Sequence, residues 1–279
     1  MTSSRRRGAE RELTSIRLYS PEYPDGSDLD SVRLFLKGYF PSVDIRIESP
    51  ILSGLLGRTL EAVSTRLANS RVKDPSEEHQ SYEPMFGEVD FERRAAMGKA
   101  RVGGVVYDGR KLGEVYASLS DANLGLEVAR IVFTQRLVST YSRDDMRHHL
   151  RTVVCSFPSI VSIPGVIEAP AKPRDYHMLR QELESMGAGE LQLERLKSDF
   201  RGRFIDYGDP EVNEVLKGLA LQTVLFHMTL KPFCEHPDCR LFNAHWQEEL
   251  IRSQVKDGGL CKMHERLLHQ LEKRPLLMW

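Results

Sequence analysis

Polar and apolar positions alternate along residues 15–19 and again along 43–47. Between them Val32, Leu34, Phe35 and Leu36 are spaced for a short helix that Asp28 and Asp30 can cap. Strand, helix, strand is the unit of a parallel sheet. A second helix follows, because Leu55, Leu56, Leu60, Val63 and Leu67 form one apolar stripe. Residues 69–100 are polar and broken by Pro75 and Pro84, which predicts an exposed excursion or a loose helix. Segments 102–107 and 111–119 flank Asp108 and Gly109, a pair that suits a tight turn, so a hairpin is expected there. The most apolar run, 129–134, is expected at the centre of the sheet.

In 152–174, Pro164, Gly165, Pro170 and Pro173 oppose helix while Val153, Ile160, Val161 and Ile167 call for burial, which predicts short extended pieces. Glu168 lies in that run, either as a functional acid or as an ion-pair partner of Lys172 and Arg174. A helix is expected over 175–184. Asp209 followed by Pro210 then opens a long helix to residue 230. From Leu219 to Met228 it becomes apolar nearly all round, so it must run through the middle of a domain. Helices over 242–255 and 264–272 complete the chain. The expected fold is α/β, a twisted and mainly parallel sheet with flanking helices. A disordered tail over 1–14, an α/β domain over 15–232 and a zinc-binding helical subdomain over 233–279, packed on the same core, are the expected divisions.

That last segment carries the most specific chemistry. Cys234 and Cys239 stand five positions apart, Cys261 and His264 three, with a polar helix-like stretch between the pairs. Zinc prefers a tetrahedron of thiolate and imidazole ligands, and two such pairs fill one with protein alone. A filled shell leaves no position for water, so one structural zinc ion is expected. The competing reading is a Cys234–Cys239 disulfide or unrelated thiols. Cys155, the remaining cysteine, reads as a small buried hydrophobe.

With 279 residues the chain can bury a sizeable core, and four cysteines are too few for a disulfide framework, which points to a reducing, cytoplasmic setting. No apolar run is long enough for a bilayer helix. With 39 basic and 40 acidic residues the chain has no basic excess for nucleic acid or an anionic membrane, so neither is expected as a partner.

The cysteine pattern, preceded at once by a long helix, resembles the archaemetzincins, zinc peptidases whose helix bears HExxHxxGxxH followed by C-x4-C and then C-x2-C. Cys234, Cys239 and Cys261 fall in place, and His264 stands where that family has its last cysteine. Counting back from Cys234 puts the eleven catalytic positions on residues 223–233, of which only His227 matches. Thr223 replaces the first metal-binding histidine and Val224 the general-base glutamate. Leu230 replaces the turning glycine, Phe233 the third histidine and Leu241 the methionine expected after the second cysteine. A metal-activated hydroxide needs about three protein ligands and a proton acceptor, and His227 alone supplies neither. The resemblance therefore implies a protein that has lost peptidase activity, keeps one structural zinc and binds a protein or peptide ligand in the old cleft. The alternative is a hydrolase with a rearranged centre, for which His227, His245 and Glu168 are the candidates. His148 and His149 are adjacent, point in different directions and make a poor chelating pair. His245 with Glu248 or Glu249 is better spaced, but a packing helix with a solvated acidic edge is the preferred reading of that segment.

Overall fold

In the computed structural model, which describes residues 12–24, 26–120 and 124–278, the chain begins with β1 (Ser15–Tyr19), α1 (Leu29–Tyr39), β2 (Asp44–Glu48), α2 (Gly57–Asn69) and α3 (Phe86–Ala96). It continues through β3 (Val106–Asp108), α4 (Gly109–Leu119), β4 (Val128–Thr134), β5 (Leu137–Ser142), β6 (Arg147–Arg151), β7 (Val153–Val154) and β8 (Ser159–Ser162). Helices α5 (Ile163–Glu168), α6 (Arg174–Ser185), α7 (Glu190–Asp199) and α8 (Glu211–Thr229) follow. The chain then forms α9 (Gln247–Leu250), a π-helical turn (Ile251–Lys256) and α10 (Lys262–Lys273). Among the described residues no helix is long and apolar enough to cross a membrane.

The main sheet has the order β2-β1-β4-β8-β7, parallel except for β7. Strand β4 takes the central position, as its apolar run predicts. Its Ala129, Ile131 and Phe133 enter one core with Ile16, Leu18 and the apolar positions of α1 and α8, while Val132 enters a second with Val63, Leu67, Leu112 and Tyr116 of α2 and α4. A strand covered on both faces needs apolar residues at every position rather than alternation. The smaller sheet, β3-β5-β6, pairs β3 with β5 in parallel and β5 with β6 antiparallel. Leu268, Leu271, Cys234 and Cys239 belong to the same core as β4 and α8.

Three expectations are corrected. Asp108–Gly109 is not a hairpin turn. Asp108 accepts the Lys111 backbone N–H at 2.9 Å as the N-cap of α4, so 111–119 is helix. Gly109 serves close approach, since a Cβ there would lie 2.9 Å from both Val138 and Val154 side chains. The 152–174 segment does contain a helix, α5, because Pro164 sits in its first turn, where a missing N–H costs nothing, and Ser162 caps it. The helix expected over 242–255 starts only at Gln247, which leaves His245 outside it. Strands β5 and β6 and helix α7 were not anticipated. Of the expected tail, residues 1–11 lie outside the described residues, whereas Leu13 is buried and donates its N–H to Pro275 O at 2.7 Å.

The polar excursion is tied down by charge. Helix α3 turns Glu92 fully inward, where its carboxylate meets Arg71 at 2.6 Å, Arg136 at 2.7 Å and the Tyr107 hydroxyl at 2.8 Å. Arg136 is completely buried and also reaches Glu22, which accepts the Thr134 hydroxyl at 2.6 Å and the Gln135 N–H at 2.8 Å. Burial opposes the guanidinium's charge, but Glu22 and Glu92 outweigh it and hold Arg136 protonated. Deleting one member of such a network strands the others as unpaired buried charges. Glu92→Ala is therefore expected to cost about 3–5 kcal/mol in urea denaturation. A wild-type denaturation midpoint would show that the network carries no such weight.

Candidate metal centre

Beyond α8 the chain passes through Lys231 and Pro232 into a small loop closed by backbone hydrogen bonds. The Cys234 N–H donates to Leu241 O at 2.8 Å, Cys239 N–H to His236 O at 3.0 Å and Phe242 N–H to Cys239 O at 2.8 Å. This loop turns both sulfurs toward the start of α10, where Cys261 is the N-cap and His264 lies in the first turn. The Sγ atoms of Cys234 and Cys261 are 3.8 Å apart. His264 Nδ1 is 3.9 Å from Cys239 Sγ and 3.2 Å from Cys261 Sγ. All four ligand atoms fall within 4.8 Å of one another. Sulfurs held about 2.3 Å from a tetrahedral zinc would be about 3.8 Å apart, so the spacing fits that ion. The cysteines are free thiols, which removes the disulfide reading.

The surroundings fit a cation as well. The His236 N–H points at Cys234 Sγ (3.3 Å) and the Cys261 N–H at Cys239 Sγ (3.5 Å), both arrangements that favour thiolate. Burial pushes the Cys239 thiol up to about 12 and raises Cys234 too, so keeping them ionised needs a positive charge in contact. Arg240, next to the second cysteine, joins the two halves. Its N–H donates to Gly259 O at 2.7 Å, and its guanidinium meets Gln254 O at 2.9 Å and Glu214 of α8 at 3.1 Å, 4.7 Å above the Phe35 ring. Sequence reasoning missed this residue, because nothing in its local spacing reveals the partners.

The positions to which the archaemetzincin resemblance would assign the catalytic motif are occupied by packing. The Thr223 hydroxyl donates to Ala220 O at 2.7 Å, and Val224 and Leu241 are fully buried. His227 Nε2 donates to Leu126 O at 2.7 Å, and its ring stands edge-on to Phe157 at 5.3 Å. Burial lowers its pKa and favours the neutral imidazole. Leu230 ends the helix in the left-handed conformation (φ 58°, ψ 13°). The turn that the archaemetzincin resemblance gives to a glycine is thus made here by a leucine. Phe233, 40% exposed, borders a cleft.

The alternative catalytic set is not brought together. Among the described residues, the groups of three or more His, Cys, Asp or Glu with ligand atoms within 4.8 Å reduce to Cys234, Cys239, Cys261 and His264. Glu168 is exposed at the end of α5, beside the Tyr207 phenol, whose pKa burial and that carboxylate raise to about 12. Lys172, expected as its ion-pair partner, lies over the Phe204 ring instead. His245 is exposed, and its backbone N–H donates to Glu249 Oε2 at 2.9 Å. In β6 the neighbouring histidines do diverge, His148 to the Ser139 hydroxyl and His149 to Asp145.

His245 does share a cleft of about 560 Å³ with Phe233, Cys155 and the segment from His149 to Val154. One wall is Ala169–Pro170–Ala171, and Ala171 is held by backbone bonds to His245 and Gln247.

The family described as "Probable metallopeptidase family (DUF6775)" matches residues 12–271, and the chain belongs to that family. No curated protein and no solved structure matches it.

Two outcomes are expected. Chelation or Cys261→Ser should lower the thermal midpoint sharply, because structural zinc contributes on the order of 10 kcal/mol of coupled folding energy. His264→Cys should retain the metal, and a melting curve indifferent to chelator would remove the centre from the account. Leu230→Gly relieves a left-handed leucine costing about 1–2 kcal/mol, partly offset by the glycine's greater unfolded-state freedom. A net stabilisation of up to about 1 kcal/mol is expected, and a destabilised variant would contradict it.

Proposed function

We propose that this member of a metallopeptidase family has lost the hydrolytic centre, retains one structural zinc in the Cys3His cluster and binds an extended peptide in the adjacent cleft. The observation that carries the reading is the state of α8. At the positions where the archaemetzincin resemblance requires two further ligands and a base, the side chains are a back-bonded threonine, a core valine and the cleft-lining Phe233. His227, the one match, gives Nε2 to a backbone carbonyl. Losing the base alone commonly costs on the order of 100-fold or more in rate, and here the metal's ligands are replaced with it.

The zinc would be held by three thiolates and one imidazole, where it neutralises buried sulfur and pins α10 to the loop after α8. The cleft supplies the binding surface, since β6 and β7 each lie at an edge of their sheet and line it. We assign the protein to a reducing compartment, the cytoplasm, because its function rests on keeping three cysteines as ligands. A protein or peptide is the partner, rather than nucleic acid.

Metal analysis and a mixed peptide library test this together. The purified chain should carry one zinc, leave the library uncut and keep its zinc content in His227→Ala. Two zinc ions per chain, or zinc-dependent cleavage abolished by His227→Ala in a folded protein, would establish the hydrolase instead.

A further inference from the structure

Several interior arginines among the described residues are matched to carboxylates. Arg17 meets Glu48, Arg71 and Arg136 meet Glu92, and Arg240 meets Glu214, all within 3.1 Å. Arg151, at the end of β6, is different. It is partly buried, its Nε donates to the Thr140 hydroxyl at 2.7 Å, and no carboxylate among the described residues lies within ion-pair distance. Burial lowers its pKa from the ordinary arginine value, and only the field of Asp145 works the other way. The Thr140 bond fixes the Nε edge of a rigid fork, which leaves the Nη groups to recognise a planar anion.

Arg151 lines the cleft. The other lining side chains include His149 and His245 and no aspartate or glutamate. The nearby acids are engaged elsewhere: Asp145 binds Arg147 and His149, and Glu249 accepts the His245 and Trp246 backbone N–H groups. The volume of about 560 Å³ is that of a ligand site rather than a packing gap. Residues 147–154 edge both sheets in turn, β6 closing the smaller and β7 the larger, so an extended chain laid along 149–154 would follow a strand edge. Phe233 adds an apolar contact to the lining.

From this geometry we infer that the cleft selects an acidic peptide, an extended segment whose Asp or Glu carboxylate pairs with the Arg151 guanidinium while its backbone runs along 149–154. The inference rests on the cleft being the peptide-binding surface and adds its specificity. A half-buried cation of fixed orientation favours an anion over a neutral side chain, which would leave the guanidinium without a counter-ion. Arg151 acts here as a specificity residue.

The test uses the zinc-loaded full chain and an array of synthetic nonapeptides randomised at each position, read by binding at low and moderate salt. Asp and Glu should be enriched at least five-fold at one position, and Arg151→Gln should abolish that enrichment with an unchanged melting temperature. Arg151→Lys, which keeps the charge without the fork, should restore part of it. Peptides captured without acidic enrichment, or with enrichment indifferent to Arg151→Gln, would overturn the acidic specificity. The cleft itself would still stand if Asn243→Trp, which fills it from the exposed rim, blocked their capture. No capture at all, or capture untouched by Asn243→Trp, would overturn both the specificity and the cleft reading. Glutarate alone competing as well as any acidic peptide would reduce the site to a small-anion pocket and also overturn the proposal.

Discussion

A helix covered on several sides keeps a polar group at low cost only where a partner has been built for it, and α8 is such a helix. From Val215 to Met228 nearly every side chain is buried. Most of its polar atoms are met: Gln222 Nε2 donates to Phe242 O, the Thr223 hydroxyl to its own helix backbone and His227 Nε2 to Leu126 O, while Gln222 Oε1 is buried without a partner. Even Gly218 is committed, since a Cβ there would fall 1.7 Å from the Gln254 Oε1 that packs against it. The polar ligands and base of a hydrolytic centre would each need the same provision; at the positions where the archaemetzincin resemblance would put them on α8, Thr223 bonds its own helix backbone, Val224 packs in the core and His227 bonds Leu126 O.

The metal cluster depends on that helix without belonging to it. Because α8 is anchored along its length, the direction in which the chain leaves at Leu230 is fixed, and the left-handed turn there aims 231–234 at the cluster. The second pair arrives on α10, whose Leu268 and Leu271 enter the same core. Arg240 then locks the two loops from behind, through Gly259, Gln254 and Glu214. Four ligands thus converge from two short segments, each positioned by burial rather than by the ion alone.

What could be read from the sequence follows the range of the interactions involved. The ligand pairs lie within one loop and one helical turn, so spacing revealed them. The apolar run of β4 and the buried stretch of α8 reveal position because complete burial removes the need for alternation. Asp108–Gly109 misled because the same dipeptide suits a turn and a helix cap, and the deciding contact, Gly109 against Val138 and Val154, is made by distant residues. Pro164 misled because proline opposes a helix interior but not its first turn. The Glu22–Arg136–Glu92 network had no local signature. Its members are separated by 114 and 44 positions, and each alone looks like an ordinary surface charge.

Two arginines on neighbouring elements show how one residue type takes opposite parts. Arg136 follows β4 into the interior, where desolvation would expel an unpaired guanidinium, and two carboxylates from different segments make its burial tolerable. That arrangement joins the β1 exit, α3 and the β4–β5 corner, and both Nη groups are spent on the fold, while Nε is buried without a hydrogen-bond partner. Arg151 ends β6 at the rim of the cleft, with one valence spent on Thr140. Its desolvation is only partial, so the cost of leaving it without a counter-ion is small enough for a stable fold to carry. The same cost is recovered when an anion enters the cleft, which makes the unmatched charge a source of binding free energy rather than a defect of packing.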